Sequence, residues 1–254
     1  MTIAVVTGSS GGVGQILVRQ LQDAGHFVMG IDIKPAPTNV VRAQYRHLEL
    51  DLGNFDELRI QIRNIEDGVG LFIHAAAIQS LVGAATGNIE EWRSAFDVNV
   101  LSAEVIASEL KESLKLNSPH AVFAIGSIHE QRTSRSIAPY SVSKAALAGW
   151  VRAMAIDLAP QVSVINIAIG ATLTPMLLAG LGRNGDQETA FSRLEHSLLP
   201  ERILDPADVA RTCLQLLNCP LEHLSGSTIR LDGGSSIVLG GEIQGKLGGP
   251  PLLG

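Results

Sequence analysis

The sequence predicts an α/β protein of one domain, in which a doubly wound parallel sheet lies between two layers of helices as a three-layer α/β/α structure. Three observations lead there. Apolar, β-rich runs alternate with helix-period segments through most of the chain, the pattern of βαβ units and a sheet covered on both faces. The length of 254 residues suits one large domain with a substantial core. A glycine-rich turn directly follows the first run and opens a helix, where such a sheet binds ligands.

The elements follow in order. The first strand is IAVVTG (3–8), and a helix over 13–24 leads to the strand FVMGIDI (27–33). YRHLELDL (45–52), a helix over 54–65 and the strand GLFIHAAA (70–77) come next. One long helix is expected over 89–116, then AVFAIGS (121–127) and a helix over 139–158 opened by Pro139. VSVINIAIG (162–170), a helix over 206–217 opened by Asp205-Pro206 and STIRLDGG (227–234) close the series. The alternation lapses over 171–204, a segment with Gly180, Gly182 and Gly185 that reads as a lid over a site. The domain is expected to span 1–240; the Gly/Pro-rich tail 241–254 is too poor in regular pattern for an element and is read as disordered or packed on a neighbouring subunit.

Composition removes several function classes. A net charge of −6 argues against a nucleic-acid partner, and no apolar run approaches the roughly 20 residues that span a bilayer. No secretory signal is legible at MTIAVVTGSS, so a cytoplasmic location is expected. Cys213 and Cys219 form neither a disulfide framework nor a metal-ligand set; both are expected as buried, reduced thiols, and no metal is called for.

The turn TGSSGGVG carries the first chemistry. Gly8 permits a tight turn, Gly12 the close approach of a diphosphate to the backbone through Ser10 to Val13, and Gly14 the packing of helix on strand. Asp32 ends the second strand eighteen residues after Gly14, where a carboxylate accepts from an adenosine ribose hydroxyl and repels a 2′-phosphate. NAD is therefore favoured over NADP. Asp51, beside Leu52, is either an adenine contact or the cap of the helix at 54–65. The second chemistry lies in APYSVSK, where Tyr140 and Lys144 are one helical turn apart and share a face.

These motifs resemble the short-chain dehydrogenase/reductase family along nearly the whole chain, and with it a Rossmann-type fold. Thr7, Gly8, Gly12 and Gly14 match its glycine pattern, and Tyr140 and Lys144 its Tyr-x-x-x-Lys. Ser127, thirteen residues before Tyr140, has the spacing of its active-site serine; Asn99 in DVNV resembles its catalytic asparagine, and LDGG (231–234) its closing strand. Two departures stand out. HAAA (74–77) replaces Asn-Asn-Ala-Gly, with Ala75 and Ala76 still small enough for the adenosine side, and Ile169 replaces a proline while Gly170 and Thr174 keep their places.

The resemblance implies hydride transfer between a nicotinamide and a secondary alcohol or ketone. Tyr140 is the expected general acid/base, its anion favoured by Lys144, which also reaches the nicotinamide ribose. Ser127 steadies the substrate oxygen, Asn99 holds a water that relays protons from Lys144, and Thr174 or Thr172 holds the nicotinamide carboxamide. Gln79, Ile128 and His129 are nominated for the substrate pocket with residues 175–200; His129 either meets a substrate hydroxyl or faces solvent. Arg132 and Arg135 beside Glu130 favour a polyol, sugar or hydroxy acid. The family also implies a homotetramer, or a dimer, through the helices of Asn99 and Tyr140. A non-catalytic dinucleotide-binding regulator is the alternative, but it has no need of Ser127, Tyr140, Lys144 and Asn99 together. Enoyl-thioester reductases on this scaffold space tyrosine and lysine by six residues; here three intervene.

Overall fold

The computed structural model describes residues 2–65, 68–182 and 186–238. Seven strands form one parallel sheet in the order β3-β2-β1-β4-β5-β6-β7: β1 Ile3–Thr7, β2 Phe27–Asp32, β3 Tyr45–Glu49, β4 Val69–His74, β5 Ala121–Ser127, β6 Ser163–Ile169 and β7 Thr228–Leu231. Every residue of β4 and β5 is buried, because helices cover both faces. The expected Rossmann-type, three-layer architecture is what the chain adopts.

One face packs under α1 (Gly14–Asp23) and α8 (Pro206–Leu216), where Leu17, Leu21 and Val209 meet Val6, Leu71, Phe123 and Ile165. The other lies under α2 (Phe55–Arg63), α4 (Ser102–Leu116) and α5 (Ala138–Asp157), where Leu58, Ile106, Leu110 and Leu147 meet Val5, Phe72 and Val122. Side-chain caps start several helices. Asn54 accepts from Glu57 N to open α2, and Asn88 forms a capping box with Glu91 at α3 (Ile89–Phe96). Asp205 caps α8. Asp51 is thus not the cap of α2; its carboxylate closes a local turn by accepting from Gly53 N at 2.9 Å.

Two expectations are corrected. The helix expected over 89–116 is interrupted by a π-helical turn at Asp97–Leu101, which inserts one extra residue and sets Asn99 at a break in the α ladder. The segment 171–204 is not a loop: it holds α6 (Pro175–Leu181), capped by Thr174, and α7 (Gln187–Ser197), capped by Asp186. Thr-Pro and Asp with a helix behind them are start signals that the three glycines masked. Cys213 is buried with its thiol pushed up to about 12, whereas Cys219 is exposed, against expectation. Gly185 and the tail 241–254 lie outside the described residues. Among the described residues no helix is long and apolar enough to cross a membrane.

The strand order reverses at β1, which has β2 on one side and β4 on the other. A crevice opens at such a switch point, beyond the carboxyl ends of the strands. β5 bears Ser127 at its end, so its anchoring matters to the site. Phe123, fully buried on β5, should on replacement by Ala lower the unfolding free energy by about 3–5 kcal/mol in urea denaturation.

Candidate active site

A cavity of about 770 Å³ occupies that crevice. Its walls include Gly8, Ser10, Gly12, Val13, Gly14, Asp32, Asp51, Leu52, Ala75 and Ala76 at one end, and Gln79, Ser127, His129, Tyr140, Lys144, Gly170, Thr172 and Thr174 at the other. Of the four residues expected to carry the reaction, Asn99 stands outside this wall.

The turn after β1 is held by packing and hydrogen bonds together. Gly8 has φ +65°, and a Cβ there would stand 2.7 Å from the Cα of Ala76, so glycine serves both the left-handed backbone and the close approach. Any side chain at Gly14 would overlap the carbonyl oxygen of Gly8. At Gly12 the missing side chain leaves space for Thr174 and Pro175, whose nearest atom stands 2.7 Å from the Cβ position. Val13 opens α1 without a side-chain cap; Gln15 N and Ile16 N donate to Gly11 O and Val13 O, and the positive helix end faces the cavity, where it suits an anion. Asp32, 8% exposed, accepts from Ser10 N and Lys34 N, both at 2.9 Å, and so ties the turn to the end of β2. An ionised carboxylate retains further acceptor positions for a ribose. These features fit a dinucleotide.

Thr7 joins the two strands at the floor of the crevice. Its hydroxyl oxygen accepts from Ala75 N and Ala76 N, each at 3.2 Å, and lies 2.9 Å from Nδ1 of His74. With the oxygen's acceptor positions used, its proton goes to Nδ1, and the imidazole carries its own proton on Nε2. Burial, and then the charge of Lys144, hold His74 down at about 3, so the ring is neutral.

Tyr140 and Lys144 lie on one face of α5 as their spacing predicts, both buried, with Nζ 5.8 Å from the phenol ring centre. The ammonium donates to Ile125 O at 2.8 Å. Burial lowers Lys144 to about 8, and the carboxylate of Glu130 opposes that fall. The expected lowering of the phenol by Lys144 is not what governs Tyr140 within the protein itself. Burial raises its pKa and the Ser127 hydroxyl opposes the rise. Ser127, at the buried end of β5, accepts from His129 N at 3.2 Å. The His129 ring sits edge-on to Tyr140, with centres 5.9 Å apart.

Asn99 is fully buried and its side chain is committed elsewhere. Its Oδ1 accepts from Ile78 N at 2.8 Å, and Nδ2 donates to Ile78 O at 3.0 Å and Ser143 Oγ at 2.9 Å. Both amide protons are used, so the side chain clamps the stretch after β4 to α5 and has no proton left for a relay water. Thr172 and Thr174 line the cavity, but their hydroxyls donate to Gly170 O (3.0 Å) and Thr172 O (3.2 Å), and Thr174 also caps α6.

The polar rim is corrected as well. Arg132 and Arg135 are exposed and outside the cavity wall. Glu130 turns inward and accepts from the fully buried Asn166 at 2.6 Å, and burial raises its pKa. The wall also contains Ile137 and, from α6 and α7, Met176, Leu177, Leu181 and Leu194. Sequence reasoning named that segment but none of these side chains, because the helical caps at Thr174 and Asp186 went unread.

A family model described as enoyl-(acyl carrier protein) reductase matches residues 8–236. An acetoacetyl-CoA reductase from Acinetobacter sp. is 23% identical over 91% of this chain and 96% of its own. Human dehydrogenase/reductase SDR family member 4 is 24% identical over 92% of this chain and 87% of its own. Among solved structures, ligand-free aldohexose dehydrogenase of Thermoplasma acidophilum superposes with a TM-score of 0.86 at 23% identity, covering 94% of this chain and 95% of that one. With the glycine turn, Asp32, Ser127, Tyr140 and Lys144 gathered on one crevice, the chain belongs to the short-chain dehydrogenase/reductase family of oxidoreductases, which use nicotinamide dinucleotides.

Proposed function

We propose that this protein is an NAD-dependent oxidoreductase that interconverts a secondary alcohol and a ketone. The observation that carries the reading is the convergence of Ser127, Tyr140 and Lys144 on the same cavity that reaches Gly8 and Asp32. A nicotinamide dinucleotide held at the Gly8–Gly14 turn and Asp32 would supply the hydride acceptor, or donor, for the carbinol carbon. Tyr140 takes the hydroxyl proton as hydride leaves and gives it back in reduction. Its buried phenol resists ionisation, so the work of Lys144 is to hold a positive charge beside it in a site of low polarity. Ser127 donates to the substrate oxygen as charge develops there. Asn99 is a positioning residue, acting through Ile78 and Ser143.

Asp32 supports NAD over NADP, since a 2′-phosphate beside it would face like charge at close range. The three residues between Tyr140 and Lys144 favour alcohol–ketone chemistry over the enoyl reduction in the family model's description. Of the polyol, sugar or hydroxy acid expected as substrate, the hydroxy acid loses its support with the outward placement of Arg132 and Arg135. The exposed Leu101, Val142 and Ile156 around α4 and α5 support homo-oligomer formation through these helices.

Three measurements test the reading. Asp32→Ser should lower the NAD-to-NADP ratio of kcat/KM by about tenfold or more, and an unchanged ratio removes Asp32 from the ribose. Tyr140→Phe should lower kcat at least about 100-fold while NADH fluorescence titration shows nearly intact binding. Lys144 is held at about 8 against 10.5 for an ordinary lysine, so between these values the unfolded chain binds more protons than the native one. Native stability therefore rises with pH across that window. Relative to Lys144→Met, the wild type should gain roughly 3 kcal/mol from the lower to the upper end, read by urea unfolding at each pH.

A further inference from the structure

The two ends of the cavity differ in charge. The sheet order places Asp32, Lys34 and Asp51 at the ends of β2 and β3, on the half that the Gly8–Gly14 turn serves. On the half beyond β4, Lys144 is the one formally charged side chain among the described lining residues, and its ammonium is already bonded to Ile125 O at 2.8 Å. The apolar part of the wall there is made by Ile128, Ile137, Met176, Leu177, Leu181 and Leu194. His129 adds a neutral imidazole: burial holds its pKa below the ordinary value, and Nδ1 is placed on Arg132 O at 3.2 Å.

We propose that the substrate is a neutral secondary alcohol, or the matching ketone, bearing a hydrocarbon arm that lies along the apolar wall formed by α6 and α7. The assignment rests on the oxidoreductase reading above and narrows it. The reacting oxygen meets Ser127 and Tyr140, and the arm leaves that point towards Leu181 and Leu194. A carboxylate or phosphate on the arm would lose its water with no cation among the described residues of that wall to replace it. A polyol would set hydroxyls against leucine and methionine: Thr172 and Thr174 already donate to backbone carbonyls, which leaves Gln79, Ser134 and Ser235 as the further polar side chains to pair them. Each methylene laid on the wall gains about threefold to fourfold in binding.

The test uses the full chain with NAD and three matched series: secondary alkan-2-ols of increasing length, hydroxy acids of the same carbon skeletons, and polyols. kcat/KM should rise about threefold per methylene in the neutral series and fall at least about tenfold when the arm ends in a carboxylate, the methyl ester of the same acid restoring it. Leu194→Ala should flatten the rise, and Leu194→Arg should favour the hydroxy acids. Hydroxy acids turned over as well as their neutral analogues, or no gain with length, would overturn the assignment. Binding is read separately on the Tyr140→Phe variant loaded with NADH, where reduction does not consume the signal, by the change in bound-NADH fluorescence with the alkanone and the keto acid of equal length. Equal affinity for the two also overturns it. Preference for the alkanone without turnover of any alcohol would uphold the pocket and overturn the oxidoreductase reading instead.

Discussion

The crevice depends on one buried hydroxyl. Thr7 ends β1 at the switch point, and by accepting from both Ala75 N and Ala76 N it pins the stretch after β4 against the turn after β1. The two backbones come so close that only glycine fits at position 8. Left unpaired in a dry interior, those amides would each cost about 1–3 kcal/mol. His74 completes the arrangement by accepting a hydrogen bond from the Thr7 hydroxyl at Nδ1, which is how this chain accommodates a histidine in place of the family's asparagine. A charged ring could not accept that hydrogen bond, and burial keeps the ring neutral.

A second constraint runs from this floor to the reacting groups. Asn99, set at the π-helical turn, hydrogen-bonds the backbone of Ile78 on one side and Ser143 on the other. It therefore couples the stretch after β4 to the helix that carries Tyr140 and Lys144. A regular α-helix over this span would not offer the same break. The irregularity lies where tertiary contacts compensate for it, as π turns at functional sites commonly do.

The Tyr140–Lys144 pair is built against local stability. Burial raises the phenol and lowers the ammonium, so the charged form of each group is disfavoured. The protein offsets this with few groups: Ser127 beside the phenol, Ile125 O on the ammonium, and the inward-turned Glu130 held by Asn166. The low polarity that makes the pair costly also makes its charge effective on a bound substrate.

Local physics made part of this legible in the sequence alone. Alternating strand and helix patterns specify the layers, the glycine spacing places the turn, Asp32 ends the second strand beside that turn, and one helical turn sets Tyr140 beside Lys144. All of these are encoded within a few residues or a single unit of chain. Contacts between distant segments decided the rest. Only the tertiary structure sends Arg132 and Arg135 outward and Glu130 inward to Asn166, commits the Asn99 amide to Ile78 and Ser143, and brings Met176, Leu181 and Leu194 to the cavity wall. Burial, too, is a property of the assembled layers. It was burial, and not the adjacent lysine, that set the direction of the Tyr140 shift, because desolvation depends on every segment packed around a group and on no short stretch of sequence.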